Sequence, residues 1–400
     1  MKRESIFGFI LVLMLIGGAF LFLQTNIVVR FLIGLAFGFF LVRASIGFAG
    51  SVNKLYRAHS AQVAETIIYI LVLSSIFVAF IMSGDESSYK LSIYPINLGL
   101  VIGGLLFGFG MAFSSCCATG SLTDISSGFS RAAVTMFFFG VGVFLGFDTQ
   151  ANSSLVTESF FSSPMGENFQ GGVFLPDLFR FDGFNGYLGA ISLTLVFGLV
   201  AISVAKYFEK TTGKTQEEEI SLFEKVFIKP WRMYISVIAI SATFAFLFYY
   251  SGKGWSASSA FGIWFGKFLM LFGVEAETLS SYTSRDITLF AEPLTTHSTS
   301  MQNIGIVLGA IVALLIAGSF SQKFITGLKI TTKGAVTFAV GGFLMGIGTR
   351  LSNGCNVGAL YTPIAEFSLS GWVYMVFVVG GGVLGNHFIK RYISKSCSVV

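Results

Sequence analysis

Long apolar runs alternate with polar breaks along the whole chain. Runs at 6–23, 63–82, 188–207, 233–250 and 303–320 are long enough to cross a bilayer core, and 132–147 and 371–389 read as further apolar helices. Two segments are shorter and broken by glycine: 31–46, with Arg43 near its end, and 257–273, with Lys267 inside it. The breaks between runs carry the charge. A loop at 50–60 holds Lys54, Arg57 and His59, and 83–94 is polar. The long loop 148–186 holds Asp148, Glu158, Glu167, Asp177 and Asp182, and 274–299 is polar as well. The first run comes after a basic start and so mimics a signal peptide. It is long and lacks an Ala-x-Ala cleavage site, so it reads as a retained helix.

Composition sharpens this to a polytopic all-α membrane protein. Of 400 residues, 54% are hydrophobic and 11% charged, where a soluble domain carries about a quarter charged residues. The net charge of +5 comes from loop lysines and arginines and reports topology, not a nucleic-acid partner. Basic residues cluster at the N-terminus, in 209–232 (Lys210, Lys214, Lys225, Lys229, Arg232), in 321–333 (Lys323, Lys329, Lys333) and in the tail (Lys390, Arg391, Lys395). These segments, both termini included, are expected in the cytoplasm, with 148–186 and 274–299 outside. The loop 209–232 then links an N-terminal half, 1–208, to a C-terminal half, 233–400.

One stretch occurs twice. Residues 103–120, GGLLFGFGMAFSSCCATG, return as 341–358, GGFLMGIGTRLSNGCNVG. Gly104, Gly108 and Gly110 match Gly342, Gly346 and Gly348, and Ser114, Cys117 and Gly120 match Ser352, Cys355 and Gly358. Each copy leads into an apolar helix. Self-similarity at this separation indicates a duplicated fold. The first copy is entered from outside and the second from the cytoplasm, which makes the repeat inverted. Transporters with inverted repeats build their site near the membrane midplane, between the repeats. The short segments 31–46 and 257–273 are expected at corresponding places in the halves.

The glycines at small-xxx-small spacing read as helix packing sites. The stretches 114–120 and 352–358 have a different character: they are polar and glycine-ended at membrane depth, tolerated only if buried or lining a cavity. Thiols there are soft, weak donors, and backbone amides at broken helix ends favour anions. A lone membrane cysteine is ordinarily a small buried hydrophobe; two at matching places point to function. The candidate pathway residues are Cys117, Cys355, Cys116, Gly120, Gly358, Ser114, Asn353, Asn356, Arg350 and Gly47. Cys116 has no counterpart, since Gly354 takes that place, and Cys397 lies in the tail. Further ionisable groups near membrane depth are Glu65, Asp124, Arg131 and Glu366 beside Arg43 and Lys267. Four cysteines without zinc-like spacing and three scattered histidines argue against a metal, and no cofactor motif occurs.

GFGMAFSSCCATG and GIGTRLSNGCNVG resemble the doubled Gly-x-Gly…Cys…Gly signature of the YeeE/YedE family of bacterial membrane proteins. Members take up sulfur compounds, thiosulfate best known, and a longer YedE branch is associated with selenium metabolism. The stretch 43–50, RASIGFAG, is similar to the family's Arg-Ser…Cys-Phe-Ala-Gly segment. The resemblance implies that Cys117 and Cys355 are two of three pathway cysteines, the third falling at position 47, where this chain has Gly47. It implies an inner-membrane importer of thiosulfate or a similar sulfur anion, not an enzyme, whose thiols pass the anion on unconsumed. The alternatives are a selenium cargo, or a membrane sulfurtransferase or redox protein using Cys117 covalently. A dianion entering against 100 mV costs about 4.6 kcal/mol, which holds free substrate inside on the order of 2,000-fold below outside. No dedicated ion site stands out in the sequence, so a cytosolic TusA-like sulfur carrier that drains the anion is the expected partner, with membrane lipid around the helices.

Overall fold

In the computed structural model, residues 3–83, 89–209 and 231–393 are described. Lys210, Lys214, Lys225, Lys229, Lys395 and Cys397 lie outside them. Among the described residues ten helical segments are long and apolar enough to cross a membrane. The fold is that of an all-α polytopic membrane protein.

The helices are α1 (Arg3–Phe22), α2 (Thr25–Ala44), α3 (Phe48–Ala58), α4 (Gln62–Met82), α5 (Leu98–Ser114), the short α6 (Ala118–Asp124) and α7 (Phe129–Asn152). Then come α8 (Tyr187–Tyr207), α9 (Met233–Ser251), α10 (Ser258–Met270), α11 (Ser298–Ile316), α12 (Thr332–Leu351) and α13 (Leu369–Phe388). Between α12 and α13 a π-helical stretch, Asn356–Tyr361, runs into one short turn, Thr362–Ala365.

Glycine decides the centre. A Cβ on Gly103 would meet Gly348 and Ser352, and one on Gly110 would meet Gly341 and Met345, so α5 and α12 cross in opposite directions. Each also has a parallel partner. Gly104 and Gly108 lie against Phe377, Val378 and Gly382 of α13, while Gly342 and Gly346 lie against Thr135, Phe139 and Gly142 of α7. The small residues thus pack helices backbone to backbone. Around this centre Gly34 and Gly38 of α2 touch the carbonyls of Gln302 and Ile306 on α11, and Ser241 of α9 donates to the Ile70 carbonyl of α4 at 3.1 Å. α1 packs at the edge, where Ser5 donates to the Ile316 carbonyl at 2.9 Å. Leu13, Leu21 and Phe22 of that helix are exposed, which suits a lipid-facing surface.

Two expectations change. The segment 31–46 is not short: α2 begins at Thr25 and is continuous over 20 residues. Arg30 resembles a loop residue in the sequence, but it is buried and donates to the Gln302 side chain at 3.0 Å. The basic stretch 50–60 is not a loop but most of α3, an amphipathic helix. The counterpart of short α10 in element order is therefore α3, and that of α2 is α9.

Candidate functional site

Each motif helix ends in the same way. Ser114 Oγ lies 2.9 Å from the Gly110 carbonyl and 2.8 Å from that of Cys116. Ser352 Oγ lies 2.8 Å from the Gly348 carbonyl and 3.1 Å from that of Gly354. The next residues, Ser115 and Asn353, both turn left-handed, with φ of 56° and 60°, a conformation Asn tolerates better than most. The serines close the last turn and reverse the chain, so that Cys117 and Cys355 each cap the next helical stretch. Ser114 is fully buried, and its hydroxyl faces backbone.

Cys117 is 2% exposed and Cys355 1%, so both thiols sit in the interior. The Gly120 amide donates to Cys117 Sγ at 3.3 Å, and the amides of Phe48 and Ala49, at the start of α3, point at the same sulfur. Cys355 is an electrostatic neighbour of Cys117, and the Tyr374 hydroxyl stands near both thiols. Tyr374 also donates to Asn356 Oδ1 at 3.5 Å, and Asn356 Nδ2 lies 2.9 Å from the Met111 sulfur.

On one side Cys117 opens into a cavity of about 270 Å³ lined by Gly47, Ser115, Cys116, Gly120, Arg131 and Lys323 among others. Cys116 Sγ lies 3.3 Å from Ser121 Oγ. Its lack of a counterpart has a steric cause, since a Cβ at Gly354 would sit 2.5 Å from the Gly358 backbone. A Cβ at Gly47 or at Gly358 would meet nothing within 4 Å. Gly47 has φ −147°, extended backbone open to any residue.

Beyond Cys355, Arg350 is buried and donates to Ser258 Oγ at 2.7 Å and to Gln150 Oε1 at 3.1 Å. Gln150 Nε2 in turn donates to Asn353 Oδ1 at 2.8 Å. Tyr94 is an electrostatic neighbour of Arg350, Glu366 and Cys355, and Glu366 Oε2 accepts the Ser92 amide. The other ionisable groups are held locally: Glu65 pairs with Lys206 at 3.7 Å, Asp124 with Arg131, and Lys267 donates to the Phe290 carbonyl at 2.6 Å.

All ten sequence candidates thus fall at the two motif ends or in the adjoining cavity. The sequence reading missed Gln150, Tyr374, Tyr94 and Arg285, and the amides of α3. Arg285 donates to Gln150 Oε1 at 2.7 Å, and burial lowers its pKa from the ordinary guanidinium value. Nothing in the spacing around 285 signals it. Among the described residues no cluster of His, Cys, Asp and Glu could hold a metal.

A family profile described as "Sulphur transport" matches residues 43–384. The thiosulfate transporter TsuA of Spirochaeta thermophila is 25% identical over 361 residues, 88% of this chain and 95% of its own length. TsuA of Escherichia coli, also a thiosulfate transporter, is 23% identical over 354 residues, 87% of this chain and 90% of its own. The probable transporter YedE of Escherichia coli is 32% identical over 161 residues, 40% of this chain and 38% of its own.

Proposed function

The chain belongs to the sulphur-transport family, and from that premise we propose that it imports thiosulfate, or a sulfur oxyanion of like shape, across a bacterial inner membrane along a path lined by Cys355 and Cys117. It is a transporter, not an enzyme. The observation that carries this is the pair of thiols capping matching helix breaks, with Cys117 opening on a cavity. At the constriction the donors are weak ones, S–H groups and the amides of Phe48, Ala49 and Gly120. Weak donors suit passage, because an anion that is held too tightly does not leave. The thiols are not consumed in this scheme.

The halves 1–208 and 233–400 are two inverted repeats joined by 209–232. The opposed directions of α5 and α12 and their matched parallel partners support this. Both termini and the linker are cytoplasmic. Reporter fusions at Thr215 and Ser398 are therefore expected to give cytoplasmic signals; an outside signal from either contradicts the orientation. A cytosolic TusA-like carrier that takes the sulfur drains the imported anion and relieves the potential barrier. Labelled thiosulfate uptake that rises with expression of this chain, in cells without another uptake system, tests the function directly.

A selenium oxyanion is the second reading, favoured by the open space at Gly47. Gly47→Cys adds a soft donor without strain or clash, worth about 1 kcal/mol to a polar anion. We expect it to raise thiosulfate uptake severalfold relative to selenium anions in competition assays. Equal rates and equal cargo ranking in both proteins mean that position 47 does not touch the path.

A further inference from the structure

Arg350 and Arg285 come from different parts of the chain and meet on one neutral oxygen. Arg350 lies near the end of α12 and Arg285 in the loop between α10 and α11. Both donate to Gln150 Oε1, at 3.1 and 2.7 Å. Both guanidinium carbons also lie over the Phe147 ring, at 5.2 and 4.9 Å from its centroid. Neither is in a salt bridge among the described residues. The Nε atoms of both are buried without a hydrogen-bond partner, and Arg350 as a whole is 4% exposed.

A buried cation and a half-buried one that share one amide oxygen and one ring face repel each other, and neither has a salt-bridge partner among the described residues. Buried charges are ordinarily paired, and a planar guanidinium fork fits an oxyanion with two or more oxygens. Gln150 ties the pair to the motif, because its amide nitrogen donates to Asn353, two residues before Cys355. Arg350 lies at the end of α12 opposite Lys333, on the side of the loop 271–297 that carries Arg285.

We propose that Arg285 and Arg350, held by Gln150 and Phe147, form a binding site for a divalent tetrahedral oxyanion ahead of the thiols. Sulfate, thiosulfate and selenate share the chemistry; chloride, with one charge and no fork-matching oxygens, does not. Arg285 is then a specificity-determining residue that loads the path. As a loading station the site rests on the transport reading above; as a binding site it stands without it.

The test is titration calorimetry on the full-length protein in detergent, with sulfate and with thiosulfate at constant ionic strength. Arg285→Gln is expected to weaken both at least tenfold. In uptake it raises the thiosulfate KM by a similar factor and leaves the maximal rate unchanged. Arg285→Glu supplies an internal anion for Arg350, so it abolishes binding while raising the melting temperature. Gly17→Ala, whose added methyl meets nothing within 4 Å, keeps native affinity. Native protein that binds neither anion overturns the proposal, as does Arg285→Gln that binds them as tightly as native, or Arg285→Glu that melts lower. If Cys117→Ala transports normally while Arg285→Gln loses affinity, the thiol path fails and this site stands.

Discussion

Cys117→Ala is expected to reduce thiosulfate uptake to background while leaving the protein at its normal level in the membrane. The sulfur is where two elements converge: it receives the Gly120 amide from α6, and the Phe48 and Ala49 amides at the start of α3 point towards it. It also borders the cavity that holds Gly47 and Gly120. An anion passing this point exchanges contacts with those donors. Loss of one hydrogen bond to a charged group costs about 1.5–3 kcal/mol, which slows passage roughly ten- to a hundredfold. The fold should tolerate the change, because alanine keeps the Cβ and removes only one buried atom. Cys355→Ala is expected to weaken uptake less severely, since Tyr374 and Asn356 remain beside the gap. Uptake by Cys117→Ala at the native rate would return this residue to a packing role.

Gly108→Ala is expected to cost the folded protein itself. A methyl at Gly108 would lie 2.0 Å from the Val378 carbonyl oxygen and 2.8 Å from the Gly382 nitrogen. Both neighbours are backbone of a helix packed over its whole length, so relief requires α5 and α13 to separate. Overpacking of this kind costs about 1–3 kcal/mol or more, and here it also moves the helix that carries the Cys117 turn. Gly17→Ala is the matched control, as nothing lies within 4 Å of a methyl there. Size-exclusion profiles and melting curves in detergent should show loss of folded material for Gly108→Ala and none for Gly17→Ala. Indistinguishable profiles mean that the two helices are not in backbone contact.

The doubled motif made most of the site legible. Its serines, cysteines and glycines recur in register, and the structure uses them alike, with Ser114 and Ser352 each bracketing two carbonyls and Ser115 and Asn353 each left-handed. The apolar runs located the long helices for the same reason, because in lipid only a helix satisfies its own backbone. The misses have identifiable causes. Arg30 hid the first part of α2, since a buried arginine bonded to Gln302 reads as a loop in one dimension. The amphipathic α3 carries Lys54 and Arg57 along one short helix, with His59 turning left-handed just past its end, which also reads as a loop. Arg285 meets Gln150 and Phe147 of α7 from a separate part of the chain, and no local spacing records such a meeting.

The most direct test of the central claim is transport by the purified protein in proteoliposomes, with thiosulfate labelled separately at its two sulfur atoms. No carrier protein is present inside. The account predicts that both labels enter together, at equal rates, down the thiosulfate gradient, and that intact protein mass afterwards shows Cys117 and Cys355 unmodified. Entry of one label without the other, or a sulfur atom retained on Cys117, would contradict passage of the whole anion and make the protein a sulfurtransferase.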